Sequence, residues 1–396
     1  MKLEEENTRG GGERKCYLDA NLQILFAVTL MSVMGISIIV PAFPNVVREL
    51  KISPQAVGLL ISVYSLPGVI FSPVFGVLAD RFGRKRILAP ALMLFGLAGG
   101  ACAFVRDFNF ILVLRFFQGL AAATLVPLTW VIICDLYWGG VRTAAMGYNG
   151  SFINVGMAGF PALGGALAML GWYYPFLISL VAIPMGLLVL FSLKNPEPKK
   201  RQHLNKYLGN VWASLKNIRA LGLFLANTFA FMVVFGSYMN YFPLFIGDSF
   251  GASSLLIGLL VAIMFIIAAF TASQLGNLAK ISSEANLLKA SFVLYALALI
   301  VFPFVTNLWL LLVPIVIFGV AQGLSEPVIM ALMAELVPMT HRAAFLSVNE
   351  VFLLLGVTSG PLLMGAIFGA WGIGSVFFAG AGVSIAMFIL AAIIVK

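Results

Sequence analysis

Apolar residues run along this chain in stretches of about 20, broken by short segments rich in charged residues, Gly and Pro. A run of that length matches the hydrocarbon core of a bilayer crossed by a helix. Twelve runs meet the description: residues 22–44, 57–79, 87–105, 108–133, 146–170, 172–193, 220–246, 253–274, 287–305, 308–334, 345–368 and 372–395. None alternates apolar and polar positions as a membrane barrel strand does, so each crossing pairs its own backbone groups as a helix. The predicted fold class is an all-α polytopic membrane protein with twelve transmembrane helices.

Composition agrees: 61% of residues are hydrophobic and 10% charged, against roughly 25% charged in a soluble domain. The mean hydropathy of +1.04 excludes a soluble globule. Cys16, Cys102 and Cys134 have no paired spacing, so neither a disulfide framework nor a metal site is expected. Residues 1–19 are hydrophilic and no small-residue cleavage site follows the first run, which reads as a helix and not as a signal peptide.

Lys and Arg set the orientation, because basic segments beside helix ends stay on the cytoplasmic side. With the N-terminus placed inside, all but Arg48, Lys51, Arg106 and Arg115 of the 24 basic residues fall in inside segments. Both termini are therefore expected in the cytoplasm. The formal charge of +9 records this sidedness and implies no nucleic acid. The organisation that follows is a cytoplasmic tail (1–19), a six-helix bundle (20–193), a linker (194–219) and a second six-helix bundle (220–396). Within the linker Leu204, Leu208, Val211, Trp212 and Leu215 recur at helical spacing beside Lys206 and Lys216, which suits a short helix on the inner leaflet.

A shift of 200 residues aligns the chain with itself. Gly58 meets Gly258, Gly76 meets Gly276, Gly119 meets Gly319 and Pro127 meets Pro327. Arg142 meets Arg342, Asn149 meets Asn349, Gly156 meets Gly356, Pro161 meets Pro361 and Gly165 meets Gly365. Matched glycines, prolines and loop arginines in one register point to two pseudo-symmetric halves of like orientation, an architecture that places a binding site between them.

The loop after the second run reads GVLADRFGRKRIL, from Gly76 to Leu88. Gly76 and Gly83 allow close approach and a tight turn, Asp80 is a carboxylate suited to a neighbouring helix N-terminus, and Arg81 and Arg84 are partners for carboxylates. This loop resembles the signature of the major facilitator superfamily, and the resemblance extends from about Leu22 to Val395. It implies the major facilitator fold. The second copy, GNLAKISSEAN, has Lys280 in place of the aspartate and lacks the arginines, so an asymmetric gate is expected. Asp135 and Arg142, repeated as Glu335 and Arg342, resemble the acidic-x6-arginine element of the superfamily. With Asp80 and Arg84 they are expected to form an ion-pair network that shuts the cytoplasmic face.

Arg115 in LRFFQGL resembles the superfamily's second motif, which implies a link to proton movement. The run NVGMAGFPALGGAL, with Gly156, Pro161, Gly164 and Gly165, is similar to the antiporter signature, although Phe160 stands where that signature has glycine. Gly360 and Pro361 repeat the element and imply kinked, closely packed helices. Glu326 is the one acidic residue deep inside a run. An ionised carboxylate is costly at that depth, which makes Glu326 the candidate proton carrier. Glu350 lies about two turns inside the eleventh run.

On the helices that line the cavity in this superfamily, the candidate substrate residues are Gln118, Trp130, Asn227, Tyr238, Asn240, Tyr241, Gln322 and Ser325. They are few among 34 phenylalanines, so a lipophilic or amphipathic substrate is expected. The resulting expectation is a cofactor-free, non-enzymatic, monomeric transporter of the bacterial or archaeal plasma membrane. It is read as a proton-coupled exporter resembling drug/proton antiporters. The alternatives are an exporter of an endogenous lipid, sugar or siderophore, a proton-coupled uptake symporter, or a transport-inactive receptor.

Overall fold

A computed structural model of the protein describes residues 17–194, 217–336 and 342–394. The N-terminal residues 1–16 and most of the expected linker, 195–216, lie outside the described residues, as do the side chains of Asp80 and Arg342. Among the described residues there are twelve long helices and no strand. They are α1 (Ala20–Leu50), α2 (Leu59–Phe82), α3 (Arg84–Ala101), α4 (Phe108–Leu136), α5 (Gly139–Ala168) and α6 (Tyr174–Ser192). After the linker come α7 (Ile218–Phe250), α8 (Ser254–Ser273), α9 (Glu284–Phe304), α10 (Leu308–Leu336), α11 (Arg342–Trp371) and α12 (Ile373–Ile394). All but α3 are long and apolar enough to cross a bilayer by themselves. The 18 residues of α3 open with Arg84, Lys85 and Arg86, which leaves a shorter apolar run.

Start and stop signals explain the ends. Asp19 accepts a hydrogen bond from the Asn21 amide and Asp107 from the Phe110 amide, both 2.8 Å, capping α1 and α4. Gly83, at φ 95°, makes the tight turn between α2 and α3 that any side chain would strain. Two helices run further than their apolar stretches predicted, α1 to Leu50 and α7 to Phe250. Each changes winding on the way. In α1 a 3-10 turn, Val40–Ala42, precedes Phe43–Leu50; in α7 a π segment, Val233–Tyr241, precedes Phe242–Phe250. Pro44 and Pro243 sit in the first turn of the outer piece, where the missing amide costs nothing.

The 200-residue register is visible in three dimensions. Gly119 lies against the carbonyl of Tyr64, and Gly319 lies against the carbonyl of Met264. Thr29 donates to Asn149 and Asn227 donates to Asn349, each at 2.8 Å, tying α1 to α5 and α7 to α11. Contacts between the two sets of six obey the same register with partners exchanged. Gly58 on α2 packs on Pro361 of α11, and Gly258 on α8 packs on the Pro161 carbonyl of α5. Gly365 faces Gln55, whereas Gly165 faces Leu255.

These close glycine contacts lie toward the face opposite Arg84. Nearer mid-length, Ser62 donates to the Thr358 carbonyl, and the hydroxyls of Ser65 and Thr358 are 2.8 Å apart. Asn45 donates to the Ser254 hydroxyl at 3.1 Å across the same closed side. Outward-pointing apolar residues such as Phe191, Phe270 and Ile393 are exposed, as a lipid-facing surface requires.

Candidate translocation site and gates

Arg115 is fully buried in the first set of six helices. Its Nε donates to the Leu60 carbonyl at 3.1 Å. Its Nη1 donates to the Gly35 carbonyl at 2.8 Å and to Gln118 Oε1 at 2.7 Å. The guanidinium lies 4.3 Å from the Tyr64 ring centre, and Gln118 in turn donates to Ser179 at 3.2 Å. Arg115 thus ties α1, α2 and α4 together, and its partners are carbonyls and an aromatic face, not a carboxylate. Gln118, expected on the cavity wall, is buried in this knot. Trp130 is half-buried on α4.

The second set of six holds the acidic centre. Glu326 is half-buried although it lies ten residues from the end of α10, about 15 Å along the axis. Gln322 Nε2 donates to its Oε2 at 3.5 Å. Tyr295 of α9 holds Gln322 in turn, donating to its Oε1, and stands 3.0 Å from the Ser325 hydroxyl. Across the gap, Asn349 Nδ2 donates to Met330 Sδ at 3.8 Å, which brings the start of α11 level with the lower part of α10. Glu350, half-buried, follows Asn349 and lies within electrostatic reach of Glu326. Asn227 reaches the same region from α7 through Asn349.

Gln322 thus contacts Glu326 directly, Ser325 joins it through Tyr295, and Asn227 reaches the residue before Glu350 through Asn349. Tyr295 was not expected here, because it sits on a helix outside the cavity-lining set. Its signal in the sequence is a lone hydroxyl in the apolar run VLYALALIV.

Tyr238, Asn240 and Tyr241 are elsewhere. All three are fully buried in the π segment of α7. Asn240 Nδ2 lies 2.8 Å from the place a Gly58 side chain would occupy, and Tyr241 Oη lies 3.1 Å from that of Gly365. Asn240 and Tyr241 thus lie at the closed contact on the face opposite Arg84, whereas Tyr238 packs on Phe242, Phe302 and Phe318 within the second set.

At the Arg84 face, Arg84 forms an ion pair with Asp135 and donates to the Val131 carbonyl at 3.2 Å. Arg142 donates to the Tyr137 carbonyl at 2.9 Å, so it serves its own turn; among the described residues the ion-pair partner of Asp135, seven positions earlier, is Arg84. Arg81 and Glu335 are exposed, the former 5.5 Å from the Phe82 ring centre. Arg84–Asp135 is thus an ion pair of this face within the first set, while the side chains of Asp80 and Arg342 lie outside the described residues. Gly156 contacts Leu30 and Val33, Gly164 meets the Ile38 carbonyl and Gly360 the Met232 carbonyl, while Pro161, Gly165 and Pro361 lie at the contact between the sets.

Two like bundles that touch toward one face, with partly accessible acids between helices, define a membrane transporter rather than an enzyme. The sequence profile described as Major Facilitator Superfamily matches residues 25–280 and 223–396, and the chain belongs to that family. It is 26% identical over 352 residues to "Multidrug resistance protein 1" of Bacillus subtilis, covering 88% of this chain and 89% of that one. It is 28% identical over 378 residues to "Multi-drug resistance efflux pump PmrA" of Streptococcus pneumoniae, covering 91% and 92%. Among solved structures, a bacterial homologue of the human lysosomal transporter Spinster, in an inward-facing and unoccupied conformation, superposes with a TM-score of 0.79. It shares 17% identity and 94% of each chain is covered.

Proposed function

We propose that this transporter is a proton-coupled exporter of lipophilic or amphipathic small molecules. The Arg84 face is assigned to the cytoplasm of a bacterial cell, with both termini inside, and the described state is inward-facing. The carrying observation is Glu326: a half-buried carboxyl, deep in α10, held by the Tyr295–Gln322 chain and within electrostatic reach of Glu350. No Lys or Arg hydrogen-bonds to it among the described residues, and an acid without a counter-ion at this depth is a natural proton exchanger. The scarcity of polar residues among 34 phenylalanines favours a lipophilic cargo, and the similarity to multidrug resistance and efflux proteins supports export. Arg115 acts as a positioning residue that keeps α1, α2 and α4 together while the sets rock.

The test is flux of ethidium in proteoliposomes under an imposed proton gradient. Gradient-driven ethidium movement opposite to the proton flow supports export. Movement with the protons assigns uptake. A thermal-shift screen across lipophilic cations, neutral drugs, lysolipids and sugars identifies the cargo class, since a binder stabilises the fold by mass action.

A further inference from the structure

The closed contact opposite Arg84 has two junctions related by the 200-residue register, and they differ in chemistry. At one, α8 and α5 meet the 3-10 turn of α1, where the register places Leu255, Val40 and Pro41. At the other, α11 meets the π segment of α7 and the short Pro54–Val57 turn that leads into α2, and the corresponding residues are Gln55, Asn240 and Tyr241. Tight packing alone does not call for unpaired polar residues there, since the first junction has apolar residues at these three positions and pairs its own polar groups, Asn45 donating to Ser254.

The polar junction also leaves its groups unpaired. Gln55 Oε1, both amide atoms of Asn240 and Tyr241 Oη are buried without a hydrogen-bond partner. Such groups are bonded to water or cargo when reachable and lose those bonds on burial. Their position beside Gly58 and Gly365 means that separating α2 from α7 and α11 exposes all of them together.

We propose that Gln55, Asn240 and Tyr241 are positioning residues for opening of the outer face. They weaken the closed contact and, once it parts, offer neutral hydrogen-bond donors and acceptors along the exit path. The inference rests on the alternating-access reading above. It assigns this one junction a bias toward opening that its mirror-related partner lacks.

The experiment uses the full-length protein with Cys16, Cys102 and Cys134 replaced by Ser and a reporter cysteine at Ser254. That residue is 6% exposed in the closed contact, where its hydroxyl accepts from Asn45. A membrane-impermeant maleimide is applied from the face opposite Arg84. Asn240→Val and Gln55→Leu give this junction the residues found at the other one. Each is expected to slow labelling, Asn240→Val by about tenfold because two orphaned atoms are removed. Asn240→Ser, which keeps a hydroxyl, is expected to restore much of the wild-type rate, and the thermal midpoints are expected not to fall.

Labelling at or above the wild-type rate in both Asn240→Val and Gln55→Leu overturns the proposal. If Asn240→Val does not fold, Gln55→Leu decides the matter. A reporter that never reacts in the wild type, under either direction of the proton gradient, refutes alternating access itself. That outcome is distinct from a reporter that reacts but ignores the substitutions.

Discussion

Gly258→Ala tests the proposed two-state motion most directly, because the nearest atoms the added methyl meets belong to the opposite set of helices. Its Cβ lands on the backbone of α5, against the carbonyl of Pro161, with the Pro161 carbonyl carbon at 2.9 Å and Ala162 Cα at 3.3 Å. Backbone does not rotate out of the way as a flexible side chain does. Either α5 and α8 separate locally at an overpacking cost of about 1–3 kcal/mol, or the whole contact opens. That energy is available to the equilibrium between states, so the ratio of outer-open to outer-closed molecules is expected to rise by about 5- to 150-fold.

Gly119→Ala is the matched control. Its methyl meets the carbonyl of Tyr64 within the same set, with Tyr64 Cα at 3.0 Å. A rigid-body rock relieves nothing there, so the fold pays in thermal stability instead. Spin labels on the exposed Glu49 and Asp248 read the outer distance distribution, and a thermal scan reads stability. The reasoning is refuted if Gly258→Ala leaves the distances unchanged, or if it lowers the melting midpoint as far as Gly119→Ala does.

Three further outcomes are expected. Glu326→Gln keeps the hydrogen bond from Gln322 possible but cannot exchange a proton, so gradient-driven ethidium flux is abolished while exchange at equal concentrations persists; undiminished driven flux would place the proton elsewhere. Glu350→Gln removes the neighbouring charge and is expected to change the pH profile of flux, whereas an unaltered profile would make Glu350 a bystander. Arg115→Met removes three hydrogen bonds and a ring contact, roughly 3–5 kcal/mol at about 1 kcal/mol or more apiece, and is expected to lower the thermal midpoint sharply; a stable, uncoupled variant would give Arg115 a direct part in proton movement.

The sequence by itself determined the helices, their number and the twofold repeat. Those follow from local rules: a 20-residue apolar run has one way to satisfy its backbone in lipid, and glycines matched at a shift of 200 mark where backbones approach. The turn at Gly83 was legible for the same local reason. What the sequence left open depends on which helices become neighbours. Arg115 reads as an expensive intramembrane charge until Gly35, Leu60 and Tyr64, between 51 and 80 residues away, are brought around it by α1 and α2. Tyr295 and Glu350 join Glu326 only because α9, α10 and α11 converge. Asn240 and Tyr241 look like cavity residues along α7, yet the π winding and the closed outer contact bury them against Gly58 and Gly365. A residue's depth in the membrane is a property of its position in the chain, but its partners are set by tertiary contact, and chemistry at these sites follows the partners.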